Sequence, residues 1–262
     1  MKKNNFLRGA LVIVFANFIT LDAQSQCRDA SAEQNASYER VVKALQQQLK
    51  ENQPSGTWRI FDERHSLGKL QVSDEYGRLF HPCGDRYSLT LERGAASRER
   101  RARIDSAVAQ ANPEKQETSL VLSTDSVYSS STPERSRELA MSTIDIDVAM
   151  NAGNYRLQEP ISNRFVESYK TISVKGAPLA LQINLKTDSS GIGARPETVV
   201  LLGNWKNNLR SDSKGNKLYH YSFAKGGNLI ENMVITIKAP TDVAEEIIKK
   251  TDWQALNQTL VK

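Results

Sequence analysis

The chain reads as an α+β fold: a mostly antiparallel sheet with an amphipathic helix before it, helices after it, and a cleaved signal peptide at the front. Three observations predict this. The first 25 or so residues have the layout of an export leader. Apolar residues between Tyr38 and Leu49 recur at helical steps. From Thr57 onward, apolar residues mostly alternate with polar ones in short runs set apart by turn chemistry, the pattern of runs of strands rather than of strand–helix repeats.

The leader opens with the basic head Lys2, Lys3 and Arg8 and continues through the apolar run Gly9–Leu21, broken by Asn17. Such a run is too short to cross a bilayer core, which needs about 20 apolar residues. Ala23 and Ser25 supply the small residues of a cleavage site, so processing is expected near Ser25 and the mature chain is expected to be periplasmic or secreted. Cys27 does not make a lipoprotein signal, because Gln26 stands directly before it where a small residue belongs.

The leader carries Lys2, Lys3, Arg8 and Asp22, so the formal net charge of +5 falls to +3 without it. That balance gives no reason to expect a nucleic-acid partner. The densest basic stretch, Arg93 to Arg103, is interrupted by Glu99 and spreads its arginines around a helix axis. No later stretch is apolar for 18 residues, so no transmembrane segment is expected in the mature chain. Cys27 and Cys83 both survive cleavage, and an even count in an oxidising compartment predicts one disulfide. In the chain-entropy description, closing that loop stabilises by about 4 kcal/mol.

Taken in order, Asp29 to Lys50 is a helix whose stripe is Tyr38, Val41, Val42, Leu45 and Leu49, with Asp29 or Ser31 as its cap and Pro54–Gly56 as its stop. Thr57 to Leu91 reads as a small antiparallel meander. A helix is expected from about 95 to 111, a strand at Leu120–Leu122, and a short helix from Pro133 to Met141, with a serine- and threonine-rich boundary between them. Ile144, Ile146 and Val148 alternate with Asp145 and Asp147. Leu179–Leu185 is a second alternating strand, and the continuously apolar Thr198–Trp205 suggests a central strand buried on both faces. Strands at Lys217–Phe223 and Met233–Ile237 precede a helix from Pro240 to Lys250, and Thr251-Asp252 caps another. The proposed divisions are 1–25 (leader), 26–115 and 116–262, the last two being either separate units or one domain. The closing strand–turn–strand–helix, roughly residues 217–250, is similar to the end of the PsbP-like fold, a likeness without a diagnostic motif.

Chemistry-bearing patterns are sparse. Three Ser-x-x-Lys tetrads, beginning at Ser66, Ser211 and Ser222, lack the companion motifs of a penicillin-binding protein. The three histidines, His65, His81 and His220, form no zinc-binding pair. Gly191-Ile192-Gly193 lacks the third glycine of a dinucleotide loop. The candidate catalytic groups are His81, as a general base on a Pro-flanked loop, and Asp145 with Asp147. The two aspartates lie about 7 Å apart on one strand face, where they could hold a divalent cation or act as an acid/base pair. No cofactor and no metal-ligand set is expected. Asn35 and Asn257 fit the glycosylation pattern but fall in expected helices. The expectation is an exported, non-catalytic protein that binds a protein or envelope component. The alternative is an extracytoplasmic hydrolase or metal-dependent enzyme using His81 or Asp145/Asp147.

Overall fold

The computed structural model describes residues 27–73, 87–93, 141–160, 165–186, 195–205, 209–211, 215, 217–224 and 228–261. The strands are β1 (Cys27–Asp29), β2 (Trp58–Arg64), β3 (Gln71–Ser73), β4 (Tyr87–Arg93), β5 (Thr143–Met150), β6 (Asn154–Arg156), β7 (Val166–Ile172), β8 (Leu179–Leu185), β9 (Glu197–Gly203), β10 (Leu209–Ser211), β11 (Lys217–His220) and β12 (Asn232–Lys238). The helices are α1 (Ala32–Glu51), α2 (Thr241–Lys250) and α3 (Trp253–Gln258). The fold is α+β, with mostly antiparallel sheets. The seven-stranded main sheet runs β2-β4-β5-β12-β9-β8-β7, and every neighbouring pair in it is antiparallel.

Helix α1 starts where Ser31 caps it. The Ser31 hydroxyl accepts from the Gln34 N–H (3.2 Å), and the Gln34 side chain accepts from the Ser31 N–H (2.9 Å). These reciprocal bonds satisfy two donors that a helix start leaves unpaired. The five stripe residues Tyr38, Val41, Val42, Leu45 and Leu49 are all buried, packed with α2 and α3 on one face of the main sheet. Ile144, Ile146, Val148 and Met150 of β5 and Tyr87, Leu89 and Leu91 of β4 belong to the same core. Full burial of a side chain such as Leu45 contributes about 2–3 kcal/mol. Helix α3 begins with the Asp252 carboxylate accepting from the Ala255 N–H.

A second core lies on the opposite face, beneath the small sheet β10-β11-β6. Leu157, Trp205, Tyr219 and Tyr221 pack there against Leu181, Ile183, Val199, Leu201 and Val234. Strand β9 therefore contributes to both cores: Val200 and Leu202 to the first, Val199 and Leu201 to the second. This accounts for its continuously apolar sequence.

The structure departs from the sequence expectation in several places. Gln71–Ser73 does not join a meander; β2 and β5 already flank β4, and β3 pairs with β1 instead, Cys27 opposite Ser73. Lys217–His220 and Asn232–Lys238 do not form one hairpin, because β11 belongs to the small sheet and β12 to the centre of the large one. Strand β7 was not evident in the sequence, because its outer positions are polar and its apolar residues do not alternate. The division at 115/116 falls between β4 and β5, which are hydrogen-bonded neighbours. The helix at 95–111, the strand at 120–122 and most of the helix at 133–141 lie outside the described residues. Among the described residues no helix is long and apolar enough to cross a membrane.

Helices α1 and α2 are fastened by carboxylates. Glu63 of β2 accepts from Gln46 Nε2 (3.0 Å) and the Tyr87 hydroxyl (3.1 Å), and pairs with Lys50 (2.6 Å). Burial opposes its charge, but Lys50, Gln46 and Tyr87 together outweigh it and hold the carboxyl below its usual range. Glu246 of α2 pairs with Lys250 (2.8 Å) and accepts from the Ser55 N–H (2.9 Å); Lys250 and Ser55 draw its pKa down to about 2. Carboxyls with depressed folded-state values stabilise above the unfolded-state value and lose that contribution as pH falls through the folded one. The melting temperature should therefore decline as pH drops below 4.5. The double variant Glu63→Gln/Glu246→Gln should show a shallower decline in circular-dichroism melts; an unchanged acid slope would place the sensitivity elsewhere.

Candidate functional site

Asp145 and Asp147 both point away from the helices, because their β5 neighbours Ile144, Ile146 and Val148 fill the first core. The face is the one expected from the alternation. Asp145, however, is bound into the sheet: its Oδ1 accepts from Thr90 Oγ1 (2.9 Å), and its Oδ2 pairs with Arg195 Nη2. Arg195 also donates through Nη1 to the carbonyls of Thr143 (3.0 Å) and Lys238 (3.3 Å). One guanidinium thus ties the starts of β5 and β9 to the end of β12. Lys238 and Glu197 face each other at 3.8 Å on the same surface. Asp147 sits one step along β5, between Ser88 and Thr236 in register. Each oxygen of the Asp145 carboxylate thus already has a partner within the sheet.

The Asp145–Arg195 contact is partly screened, with the two side chains 30% and 16% exposed. Asp145→Ala should cost about 1–2 kcal/mol, more than an exposed surface pair but less than a fully buried one. A double-mutant cycle with Arg195→Ala should recover a coupling of similar size. A coupling near zero would show that the guanidinium is held by the two carbonyls alone.

His81 and Cys83 lie outside the described residues. Cys27 does not carry a free thiol. His65 sits at a turn where its Nδ1 accepts from the Leu67 N–H (3.4 Å), and His220 is half-buried on β11, its Nδ1 2.8 Å from the Asn154 side-chain oxygen. Among the described residues no three His, Cys, Asp or Glu side chains gather as a metal site. Asn35 and Asn257 spend their amides inside the fold: Asn35 Nδ2 donates to the Ala30 carbonyl, and Asn257 Oδ1 accepts from the Gly203 N–H.

Of the residues that do converge, only Ser222 and Asn257 were noted in the sequence, and for other patterns. A cleft of about 310 Å³ opens where the end of β9, the loop after β11, the entry to β12 and the chain just after α3 meet. Its walls carry Glu231, Tyr221, Asn204, Ser222 and Asn257, over an apolar floor of Leu260 and Val261. Glu231 is 1% exposed. Its Oε2 accepts from the Ala224 N–H (2.6 Å), its backbone N–H donates to Asn151 Oδ1 (2.8 Å), and its carbonyl accepts from the Tyr221 hydroxyl (2.8 Å). Tyr221 in turn is wedged edge-on between Trp205 and Phe223, each ring centroid 5.0 Å away. Burial pushes the Tyr221 phenol above its ordinary value, against the opposing hydrogen bond from the Asn204 N–H.

The cleft wall rests on two asparagines at the ends of β5 and β12. Asn151 donates to the Leu229 carbonyl (2.9 Å) while accepting from Glu231, and Asn232 bonds both the N–H and the carbonyl of Ala152 (2.9 and 3.1 Å). These pairs are some 80 residues apart in sequence, and single polar residues flanking strands carry no spacing signal. The only cue was local: Asn151-Ala152-Gly153-Asn154 directly after an apolar strand, a composition that marks a turn. Compared with models of protein families, with curated proteins and with solved structures, the chain matches none.

Proposed function

We propose that the chain is an exported, non-catalytic binding protein that takes an envelope component into the cleft around Glu231. The observation that carries this reading is the construction of the cleft. Separate elements supply its walls; Asn151 and Asn257 accept from the Glu231 and Gly203 N–H groups, and Tyr221 and Ala224 donate to Glu231, so the walls are held before any ligand arrives. A concave site with a few fixed polar groups above an apolar floor is the ordinary form of a ligand site. Preorganisation of this kind lowers the ordering cost of binding. The rival reading, a hydrolase or metal-dependent enzyme built on Asp145 and Asp147, loses support because Asp145 is engaged by Arg195 and Thr90.

Export is supported by the leader, and with it comes the proposal that Cys27 and Cys83 are joined, anchoring β1 and through it the start of α1. The test uses immobilised mature protein and the variant Ser222→Trp, which places an indole at the exposed mouth of the cleft. Wild type should retain a component of envelope extract that Ser222→Trp does not. The reading fails if both retain the same material, or if the purified protein converts an extract component without retaining it.

A further inference from the structure

We infer that the cleft selects an uncharged small molecule through an amide carbonyl, as carried by an N-acetylated sugar or a peptide unit; this rests on the binding reading above. The group that points to it is the side-chain nitrogen of Asn257. Its Oδ1 accepts from the Gly203 N–H (2.8 Å), and only an oxygen can meet that donor, so the orientation of the amide is fixed. Nδ2, the other end, has no partner among the described residues. Asn257 is half-buried and lines the cleft. Among the described residues, the unpartnered side-chain atoms sealed from solvent are Trp58 Nε1 and Thr251 Oγ1, so Asn257 Nδ2 stays open to water and to a ligand.

An amide nitrogen is a donor only, and its natural counterpart is a carbonyl oxygen. The rest of the lining suits a neutral molecule around that carbonyl. Ser222 and Asn204 are exposed at the mouth, and their side chains bond to nothing else among the described residues. The Tyr221 hydroxyl is already spent, between the Asn204 N–H and the Glu231 carbonyl. Glu231 is almost wholly buried and its side chain accepts from the Ala224 N–H, so it is not the group an incoming ligand meets. No other charged side chain stands among the described lining residues, and an ion entering the cleft would lose hydration without gaining a counter-ion. Leu260 and Val261 offer the apolar floor that an acyl methyl group fits. The volume of about 310 Å³ is at the lower end of the range for small-molecule sites, which matches a single sugar or peptide unit.

Isothermal titration calorimetry of the mature protein tests this with N-acetylglucosamine and N-acetylalaninol. Each is set against its free amine and against an uncharged analogue without nitrogen, glucose and propane-1,2-diol. At least one acetylated form should bind about tenfold more tightly than both of its counterparts, the size of effect expected of one neutral hydrogen bond and one buried methyl group. Which of the two does so tells a sugar from a peptide source. Asn257→Asp keeps the oxygen that the Gly203 N–H needs and turns the donor into an acceptor, so it should abolish the preference while the melting temperature stays put. The comparison of ligands on wild type stands whether or not that variant folds. Equal binding of acetylated and unacetylated forms, or tighter binding of the amines, would overturn the amide selection and leave the binding reading intact. So would failure of all these ligands to bind while Ser222→Trp still blocks retention of an envelope component. If nothing binds and nothing is retained, the binding reading itself falls.

Discussion

Gly203→Ala is expected to lower the unfolding free energy by about 3 kcal/mol or more, because two independent penalties meet at that position. The backbone there has φ +104°, a conformation that residues with a Cβ rarely adopt. A Cβ would also lie 2.5 Å from the Glu231 carbonyl oxygen and 2.9 Å from the Asn232 Cβ. The obstacle is mostly backbone of the paired strand, so nothing flexible can give way, and β9 would have to separate from β12 at the rim of the cleft. Urea denaturation provides the measurement, with a lowered midpoint at constant slope. Gly68→Ala serves as the control: it also has a positive φ (+74°), but no atom lies within 4 Å of the added carbon, so it should cost only about 1 kcal/mol. Equal losses at the two glycines would mean that the close approach of β9 to β12 carries no energetic weight.

Asn151→Ala should be comparably severe, with a loss of about 3–4 kcal/mol. Asn151 is fully buried and left-handed (φ 53°), a conformation asparagine tolerates and alanine does not. Its side chain bonds both the Glu231 N–H and the Leu229 carbonyl, and truncation leaves two buried backbone groups without these partners. Asn151→Gly separates the contributions. Glycine removes the conformational cost but not the lost bonds, so it should recover about 1 kcal/mol relative to alanine. Since Glu231 depends on this asparagine for its placement, both variants should also weaken whatever the cleft holds. An Asn151→Gly variant as stable as wild type would show that the side-chain bonds contribute nothing.

How much of this was legible beforehand depended on whether a feature was local. The stripe from Tyr38 to Leu49 gave α1 with its core face, since helical periodicity and the Ser31 cap are contained within the segment. The strand Leu179–Leu185 and the helix after Pro240 were equally self-contained. The alternation in Thr143–Met150 correctly set Asp145 and Asp147 on one face. It could not show that Asp145 is paired, because Arg195 arrives from 50 residues away out of a segment with no periodic pattern. Pairing was the other blind spot. Nothing within Gln71–Ser73 indicates that its partner is Cys27–Asp29 rather than its sequence neighbours, and nothing in Lys217–His220 indicates that it leaves for another sheet. The cleft combines both difficulties: its walls come from chain segments that meet only once the sheet exists.

The last strand of the chain, β12, stands between β5 and β9 and is what joins β2-β4-β5 to β9-β8-β7. Until residues 232–238 are available, the polypeptide holds two half-sheets with raw inner borders and no keystone. Assembly must wait for the C-terminal portion to be made, a long-range closure of the sort that slows folding.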